Sequence, residues 1–204
     1  PSRGAAGGAA LADHSWTEVS QAKWDLRRMV GDKARGIPTT VFTISDLHYS
    51  SVDHIQNTNH KGLLETDEQH NVIRAKQAYS AVRNLSTVWD ETDAINTRSS
   101  VKLLSSRHHS LYCFTDSGSG LDSFVLWHDT PLAGGNGAPD SGSKFVYECA
   151  QVNNLNIKDP VALDLRTGLV YSLDVSSSEG SLTLSHIPVY DSPVFVIDRS
   201  LLNL

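Results

Sequence analysis

Hydrophobic and polar residues follow two different patterns along the chain, with the change near residue 90. From Thr17 to about Val30 the apolar residues recur largely at the i, i+3, i+4 and i+7 spacing of an amphipathic helix. Thr17 suits the N-cap of this helix, and Gly31 or Gly36 is expected to end it. A second helix is predicted from Val72 to about Trp89, where the apolar residues again share one face.

The segment between the two helices predicts one strand and one long loop. Ile37 to Ile44 is short, β-branched and largely apolar, and it lies between Gly36 and Ser45, which is typical of a buried parallel strand. The polar stretch from Ser45 to about Asn71 is longer than 20 residues, and loops of that length in compact domains are usually functional. The first ninety residues therefore predict the order helix, strand, long loop, helix.

After about Asp90 the chain consists of short segments with period-two alternation, separated by turn residues. About eight such segments at this spacing predict an antiparallel β-sandwich. Asp164 to Gly168 fits a hairpin connection with the glycine at positive φ, and Pro131 to Ser143 is expected to be flexible or to cover a ligand. The predicted strands are 101–105, 110–115, 123–128, 144–151, 161–164, 170–175, 181–185 and 193–197.

Composition and charge exclude several classes of protein. The 204 residues are 39% hydrophobic, which is enough apolar material for a folded globular chain. The net charge is −6 and no basic cluster is denser than Arg27-Arg28, which argues against a nucleic-acid partner. The sequence has no apolar run of the roughly 18 residues that would span a bilayer, and Pro1 to Ala10 has no signal-peptide features.

The cysteines and histidines give no metal or cofactor prediction. Cys113 and Cys149 lie far apart in strand-like surroundings and fit either one disulfide or two buried thiols. The sequence has no C-x-x-C, no H-E-x-x-H and no Cys/His cluster with zinc spacing. His108-His109 is expected in a solvated turn, because adjacent residues of a strand point to opposite faces and do not easily share a metal.

Several short motifs resemble the end of a clan A glycoside hydrolase, a retaining enzyme built on a (β/α)8 barrel. The motifs similar to the last βα units are Gln21-Ala22-Lys23, Gly36-Ile37-Pro38, Gly62-Leu63-Leu64 and Ala78-Tyr79-Ser80-Ala81-Val82. The motifs similar to the β-sandwich that follows the barrel are 161–168, Leu182-Thr183-Leu184 and 188–194. The resemblance spans roughly residues 17–197 and implies a partial barrel segment of one strand and two helices over 1–90, followed by an accessory sandwich over 91–204.

The resemblance also implies that the catalytic residues lie outside this chain. The family carries its acid/base carboxylate in an Asn-Glu pair after the fourth strand and its nucleophile at the end of the seventh, whereas this chain has no Asn-Glu pair and begins near the helix after the seventh strand. Glu18 is the one acid near that strand. Its position fits a first-turn residue that stabilises the helix dipole better than it fits a catalytic nucleophile. The chain is therefore expected to be the C-terminal part of a retaining hydrolase of a β-linked polysaccharide or glycoconjugate, with an N-terminal chain completing the barrel.

Substrate contacts are expected at the C-terminal end of the predicted strand, where βα loops build barrel active sites. Phe42, Asp46, His48 and Tyr49 lie there. Sugars stack on aromatic rings and hydrogen-bond to carboxylate and imidazole groups, and the family often has an aromatic platform at this place. Phe42 stands where a Trp or Tyr is expected, and loop-capping and turn roles are the alternative for Asp46 and His48.

Two further features complete the expectation of a secreted glycoprotein. Asn84-Leu85-Ser86 is an N-glycosylation sequon, and secretion follows from the resemblance and the possible disulfide. Trp89 and Trp127 lie in apolar periodic segments and are expected in the core. The alternative functions are a non-catalytic carbohydrate-binding or structural protein, or an adhesion sandwich against which the first ninety residues merely pack.

Overall fold

The computed structural model describes residues 2–3, 15–49, 58–89, 93–129, 144–178 and 180–202. Apart from Ser2 and Arg3, the small-residue segment Pro1–Ala10 lies outside the described residues, and so does the Gly-rich segment Pro131–Ser143.

Both predicted helices are present, with a later start for the second. Helix α1 covers Glu18–Lys33, and the Thr17 side chain accepts a hydrogen bond of 3.1 Å from the Ser20 amide in a capping box. The chain leaves α1 through Gly36, whose φ of +69° suits glycine. Helix α2 covers Gln77–Val88, so the prediction of a helix from Val72 was wrong, because residues 72–75 pair as a strand instead.

The described strands form two larger sheets and three two-stranded hairpins. Strand order is β13-β12-β16-β10-β9-β7 in the six-stranded sheet and β14-β15-β11-β8 in the four-stranded sheet, and all pairs are antiparallel. The hairpins are β1-β2, β3-β4 and β5-β6. The strands are β1 Ser2–Arg3, β2 Ser15–Trp16, β3 Leu47–His48, β4 Thr58–Asn59, β5 Leu64–Thr66, β6 Val72–Ala75, β7 Ala94–Ile95, β8 Ser100–Leu103, β9 His109–Thr115, β10 Asp122–His128, β11 Val146–Asn153, β12 Pro160–Asp164, β13 Val170–Ser172, β14 Asp174–Ser178, β15 Ser181–Val189 and β16 Val194–Asp198.

The two larger sheets confirm the predicted antiparallel β-sandwich. Each predicted strand after residue 90 has an observed counterpart, and the segment 170–175 divides into β13 and β14, which belong to different sheets. The hairpin connection after β12 is also confirmed, because Gly168 has a φ of +79° and its amide bonds to the Asp164 carbonyl. The short strand β7 was not predicted.

The segment Ile37–Ile44 is irregular, with bends at Phe42 and Ile44, which corrects the prediction of a buried parallel strand. A strand needs a neighbour that pairs with its backbone, and the parallel contact described here is a single bridge between Ser45 and Leu64, just beyond the segment. The predicted polar loop of residues 45–71 is also more ordered than expected, since β3, β4 and β5 lie within it.

The six-stranded sheet is buried on both faces. Alternate residues of β10 point to opposite sides: Val125 and Trp127 pack against the helices, whereas Phe124 and Leu126 pack against the four-stranded sheet. This double burial explains why β10, β12 and β16 are almost continuously apolar and buried. Trp89 packs edge-on against Phe114 in the same helix-facing core, so the core prediction for both tryptophans is confirmed.

Helix α1 is fixed to the sandwich by two buried basic residues. Lys23 Nζ lies 2.7 Å from Asp191 Oδ2, and both residues are buried. Arg27 donates to the Asp191 carbonyl at 2.8 Å and to the His128 carbonyl at 2.9 Å. These charge-assisted bonds join the helical part of the chain to the end of β10 and to the turn before β16.

The two cysteines are free thiols in different sheets. Cys113 is buried in β9 and Cys149 is half-buried in β11. Burial, with a contribution from the charge of Asp122, raises the pKa of the Cys113 thiol to about 11. Of the two alternatives that the sequence allowed, the structure therefore has the free thiols.

In the described part of the chain, neither helix is long and apolar enough to cross a membrane.

The Lys23–Asp191 pair leads to a first prediction. We expect Lys23→Met to lower the free energy of unfolding by about 3 kcal/mol or more, because it leaves the Asp191 carboxylate buried without its ammonium partner. The control is Arg28→Met, whose side chain is 75% exposed and whose loss should cost about 1 kcal/mol at most. Urea unfolding measures both. Equal, small effects of the two substitutions would show that the pair does not hold α1 in place.

A second prediction concerns Asp25 on α1, whose Oδ2 is buried without a hydrogen-bond partner among the described residues. Burial raises its pKa from 3.8 to about 6, so ionisation is unfavourable in the folded state and stability falls as the pH rises between these values. We expect Asp25→Asn to match the wild type below about pH 4 and to be more stable, by roughly 2 to 3 kcal/mol, above pH 6. Thermal unfolding across this range, with exposed Glu68→Gln as control, tests it, and a constant difference would contradict it.

Candidate functional site

The N-terminal ends of the two helices border an open cleft of about 680 Å³. The β5-β6 hairpin and the turn around His60 form the rest of its wall. Charged and amide side chains dominate its lining, which consists of Thr17, Glu18, Val19, Gln21, Asp46, His60, Glu65, Arg74, Ala75, Lys76, Gln77 and Ser80.

Arg74 and Glu18 connect the two helices at the mouth of this cleft. The Arg74 guanidinium contacts Glu18 Oε1 at 2.5 Å and Glu65 Oε2 at 2.6 Å through the same nitrogen. Glu18 also accepts a bond of 3.1 Å from the Gln77 amide, so it caps α2 although it belongs to α1. The Arg74 hydrogen bond, with a smaller contribution from Gln77, holds the pKa of Glu18 below its usual range. These contacts favour the helix-end role of Glu18 over the role of nucleophile.

Asp46 and Lys76 form a buried ion pair beneath the cleft. Lys76 Nζ lies 2.5 Å from Asp46 Oδ1 and also donates to the His60 carbonyl at 3.0 Å. Asp46 Oδ2 is buried without a hydrogen bond among the described residues, and it faces His60 Nδ1 at 3.6 Å. The Asp46 side chain is buried and the neighbouring His60 side chain is 43% exposed, so His60 lies on the solvent side of this carboxylate oxygen.

The backbone around Asp46 is held by a close approach at Gly62. The Gly62 amide donates to Asp46 Oδ1 at 3.0 Å, and the amides of Leu63 and Leu64 bond to the carbonyls of Thr43 and Ile44. A Cβ atom at position 62 would overlap the backbone of Ser45 and Asp46. Glycine is therefore required where these two extended segments lie side by side.

The four predicted sugar-contacting residues lie in the same region but differ in exposure. Phe42 and Tyr49 are exposed and present their rings to solvent. Asp46 is buried in its pair with Lys76. His48 has both ring nitrogens engaged, Nδ1 with Thr58 at 3.2 Å and Nε2 with Thr66 at 3.0 Å, so its geometry fits the alternative of a loop-bracing residue.

The sequon residue Asn84 is engaged in packing between α2 and the sandwich. Its Nδ2, the atom that would carry a glycan, donates to the Leu165 carbonyl at 3.0 Å. A Cβ atom built at Gly168 would lie 3.1 Å from this same nitrogen, which shows how closely the hairpin approaches it. A glycan at Asn84 would require this contact between helix and sandwich to open.

His109 corrects the prediction of a solvated turn. His108 is exposed as expected, but the His109 side chain is only 4% exposed and points between the two sheets of the sandwich. There it meets His128 and Glu148. The sequence therefore missed a cluster of metal-ligating side chains, because its members are separated by about 20 residues and come from three strands.

None of the three comparisons, with protein-family models, with curated proteins and with solved structures, gives a match.

Of the four predicted site residues, Asp46 lines the cleft, and most of the charged groups beside it were not predicted from the sequence. Phe42, His48 and Tyr49 lie outside its lining. Glu18 was singled out only as a first-turn helix acid, and Glu65, Arg74 and Lys76 gave no signal of their own, because the helix start and the hairpin that carry these residues meet only in the folded chain. The Lys76-Gln77 step before α2 could have indicated one of them, since a helix that begins without a capping side chain needs a partner from elsewhere.

The close approach at Gly62 gives a third prediction. We expect Gly62→Ala to lower the free energy of unfolding by about 1 to 3 kcal/mol or more, because the methyl group overlaps backbone atoms that cannot move aside as a flexible side chain can. The control is Gly118→Ala, where the nearest atom to the new Cβ would be 3.5 Å away and no positive φ is needed. Chemical denaturation compares the two variants, and a harmless Gly62→Ala would mean that residues 43–46 do not pack against 62–64 in solution.

Proposed function

We propose that this chain is the C-terminal part of a retaining glycoside hydrolase that acts on a β-linked polysaccharide or glycoconjugate. Residues 17–89 supply the last units of a (β/α)8 barrel, and the β-sandwich packs against their helices from outside. An N-terminal part of the enzyme supplies the remaining strands and the catalytic carboxylates.

The proposal rests mainly on one observation, the exposed apolar side chains of the segment Ile37–Ile44. Ile37 is 50% exposed, Phe42 61% and Ile44 62%, although the segment is as apolar as a buried strand. An inner strand of a barrel is paired on both sides, and the neighbouring strands would cover these side chains. Several large apolar residues exposed along one short segment are typical of a surface that another chain segment covers.

The position of the cleft supports the same architecture. In (β/α)8 barrels the loops that precede the helices build the active site, so the N-terminal ends of the helices face the substrate. The cleft borders the N-terminal ends of both α1 and α2. Phe42 is exposed and can offer its ring to a sugar.

The acids of the cleft have the properties of binding and structural groups. Retaining hydrolysis needs two carboxyl groups about 5 to 5.5 Å apart, one of which stays protonated as the general acid. Glu18 and Glu65 are bridged by Arg74, and the pKa of Glu18 is lowered by that contact, which is opposite to what an acid catalyst needs. The proposal therefore assigns no catalytic residue to this chain, and Arg74 and Phe42 to substrate positioning.

Secretion is part of the proposal and rests on the resemblance of the motifs to this family of enzymes. The free thiols of Cys113 and Cys149 remove one of the two arguments for it. We do not propose a glycan at Asn84, because its side-chain amide donates to the Leu165 carbonyl of the sandwich.

The proposal is tested by mass spectrometry of the native protein from its source, first under native and then under denaturing conditions. We expect about 200 further residues, either continuous with Pro1 or as a separate bound chain, with an Asn-Glu pair among them. A folded, monomeric protein with no further residues would overturn the hydrolase proposal and would favour the non-catalytic carbohydrate-binding alternative.

A fourth prediction uses the exposed segment directly. Ile44→Arg should abolish association with the N-terminal part, and with it hydrolysis of β-linked oligosaccharides, because a charge would be buried between paired strands. The unfolding midpoint of this chain alone should not change, since residue 44 is exposed there. The matched control is Leu169→Arg, which is 57% exposed on a sandwich hairpin and should leave both association and hydrolysis intact. Association that survives Ile44→Arg would contradict the proposed pairing.

A further inference from the structure

A cluster of two histidines and one glutamate lies between the sheets of the sandwich. His109 is the first residue of β9 and His128 the last of β10, and the two are directly opposite each other in the antiparallel register. Their rings therefore lie on the same face of the six-stranded sheet, with centroids 4.7 Å apart. Glu148 comes from β11 of the facing sheet.

The ligand atoms of this cluster converge on one point. Glu148 Oε1 lies 3.3 Å from His128 Nε2 and 3.5 Å from His109 Nε2, and all three ligand atoms lie within 4.8 Å of one another. Ligands at 2.0 to 2.1 Å from a tetrahedral zinc ion are about 3.3 to 3.4 Å apart. Ligands of an octahedral ion with similar bonds are only about 2.9 Å apart. The two observed separations thus match a tetrahedral ion.

The hydrogen bonds of His109 fix the tautomer that a metal requires. Its Nδ1 lies 2.8 Å from the Arg107 carbonyl oxygen, which can only accept, so Nδ1 carries the proton. In the neutral ring, Nε2 then has a free lone pair directed at Glu148, and this atom is buried without a hydrogen bond among the described residues. A backbone carbonyl that holds the far nitrogen is the usual support of a metal-binding histidine.

His128 and Glu148 are suited to bind a cation because the Glu148 carboxylate is buried beside the His128 ring. His128 Nε2 lies 3.3 Å from Glu148 Oε1, within hydrogen-bond distance, so these two ligand atoms already lie side by side. The Glu148 side chain is 4% exposed, and a carboxylate at such depth needs compensation by a positive charge. A divalent ion would supply that charge and would satisfy His109 Nε2 at the same time.

We propose that His109, His128 and Glu148 bind a zinc ion that joins the two sheets, with solvent as the fourth ligand. Two imidazoles and one carboxylate form a ligand set that suits zinc. The ion would connect β9 and β10 of one sheet to β11 of the other. Because Arg27 donates to the His128 carbonyl, the site adjoins the place where α1 is fixed. The proposal does not depend on the proposed hydrolase, because every ligand comes from the sandwich.

The fifth prediction tests this site with zinc chloride and the full chain freed of metal by a chelator. Isothermal titration near neutral pH should give one zinc ion per chain, and zinc should raise the unfolding midpoint because it binds only the folded site. Cobalt(II) should give the intense visible absorption of a four-coordinate ion. Absence of stoichiometric binding at micromolar zinc would overturn the proposal.

Variants separate this site from adventitious binding. Glu148→Gln keeps the shape of the side chain but removes its charge, and we expect zinc affinity to fall about tenfold or more. His108→Gln is the matched control, since this exposed neighbour of His109 lies outside the cluster. Equal zinc affinity in wild type and Glu148→Gln, or loss of binding in His108→Gln, would contradict the assignment.

A measurement on the unmodified chain covers the case in which a cluster variant does not fold. Long-range ¹H–¹⁵N spectra of the histidine rings should show zinc-dependent shifts of the Nε2 resonances of His109 and His128, while the exposed His108 and His186 stay unchanged. Shifts confined to exposed histidines would identify surface binding and would overturn the proposed site.

Discussion

The buried contact of Lys23 and Arg27 with the turn at Asp191 determines how the two parts of this protein fit together. A buried ammonium and a buried carboxylate are stable only while they face each other, so the axis of α1 is fixed relative to the ends of the central strands β10 and β16. Arg27 donates two further hydrogen bonds to backbone carbonyls, and these bonds hold α1 in the same position. The apolar face of α1 then packs against a defined set of sheet residues.

This attachment gives the six-stranded sheet its unusual burial. Helices cover one face and the second sheet covers the other, so the protein is layered as helices, sheet and sheet around two cores that share the central strands. The four-stranded sheet has only one covered face, and its outer strand β14 is exposed throughout. The cleft and the histidine cluster lie on different sides of this arrangement: one is bordered by the helix ends, the other lies between the sheets.

The cleft and the segment 37–44 depend on the same two interactions. Gly62 lets two extended segments lie in contact, and the buried Asp46–Lys76 pair holds them there. The end of the segment is thereby held against residues 62–64, while Ile37, Phe42 and Ile44 stay exposed. That combination of fixed backbone and exposed apolar side chains is the basis of the proposed association with the rest of a barrel.

Local pattern by itself determined the helices, the sandwich strands and the hairpin glycine, because periodicity and turn chemistry depend on neighbours in sequence. Thr17 and Gly168 are examples: each acts within a few residues of its own position. The start of α2 was misjudged because Val72 and Ile73 have apolar side chains that fit either element, and only pairing with β5 decided for a strand.

Tertiary structure alone decided which polar residues meet. Glu18 caps a helix 59 positions away, and His109 meets Glu148 across two sheets, so neither relation has a local signature. Alternation at the start of β9 does separate exposed His108 from buried His109. It does not indicate which groups the buried ring faces. The physical reason is that burial and charge pairing depend on which surfaces meet, and the same sequence pattern allows several partners until the chain has folded.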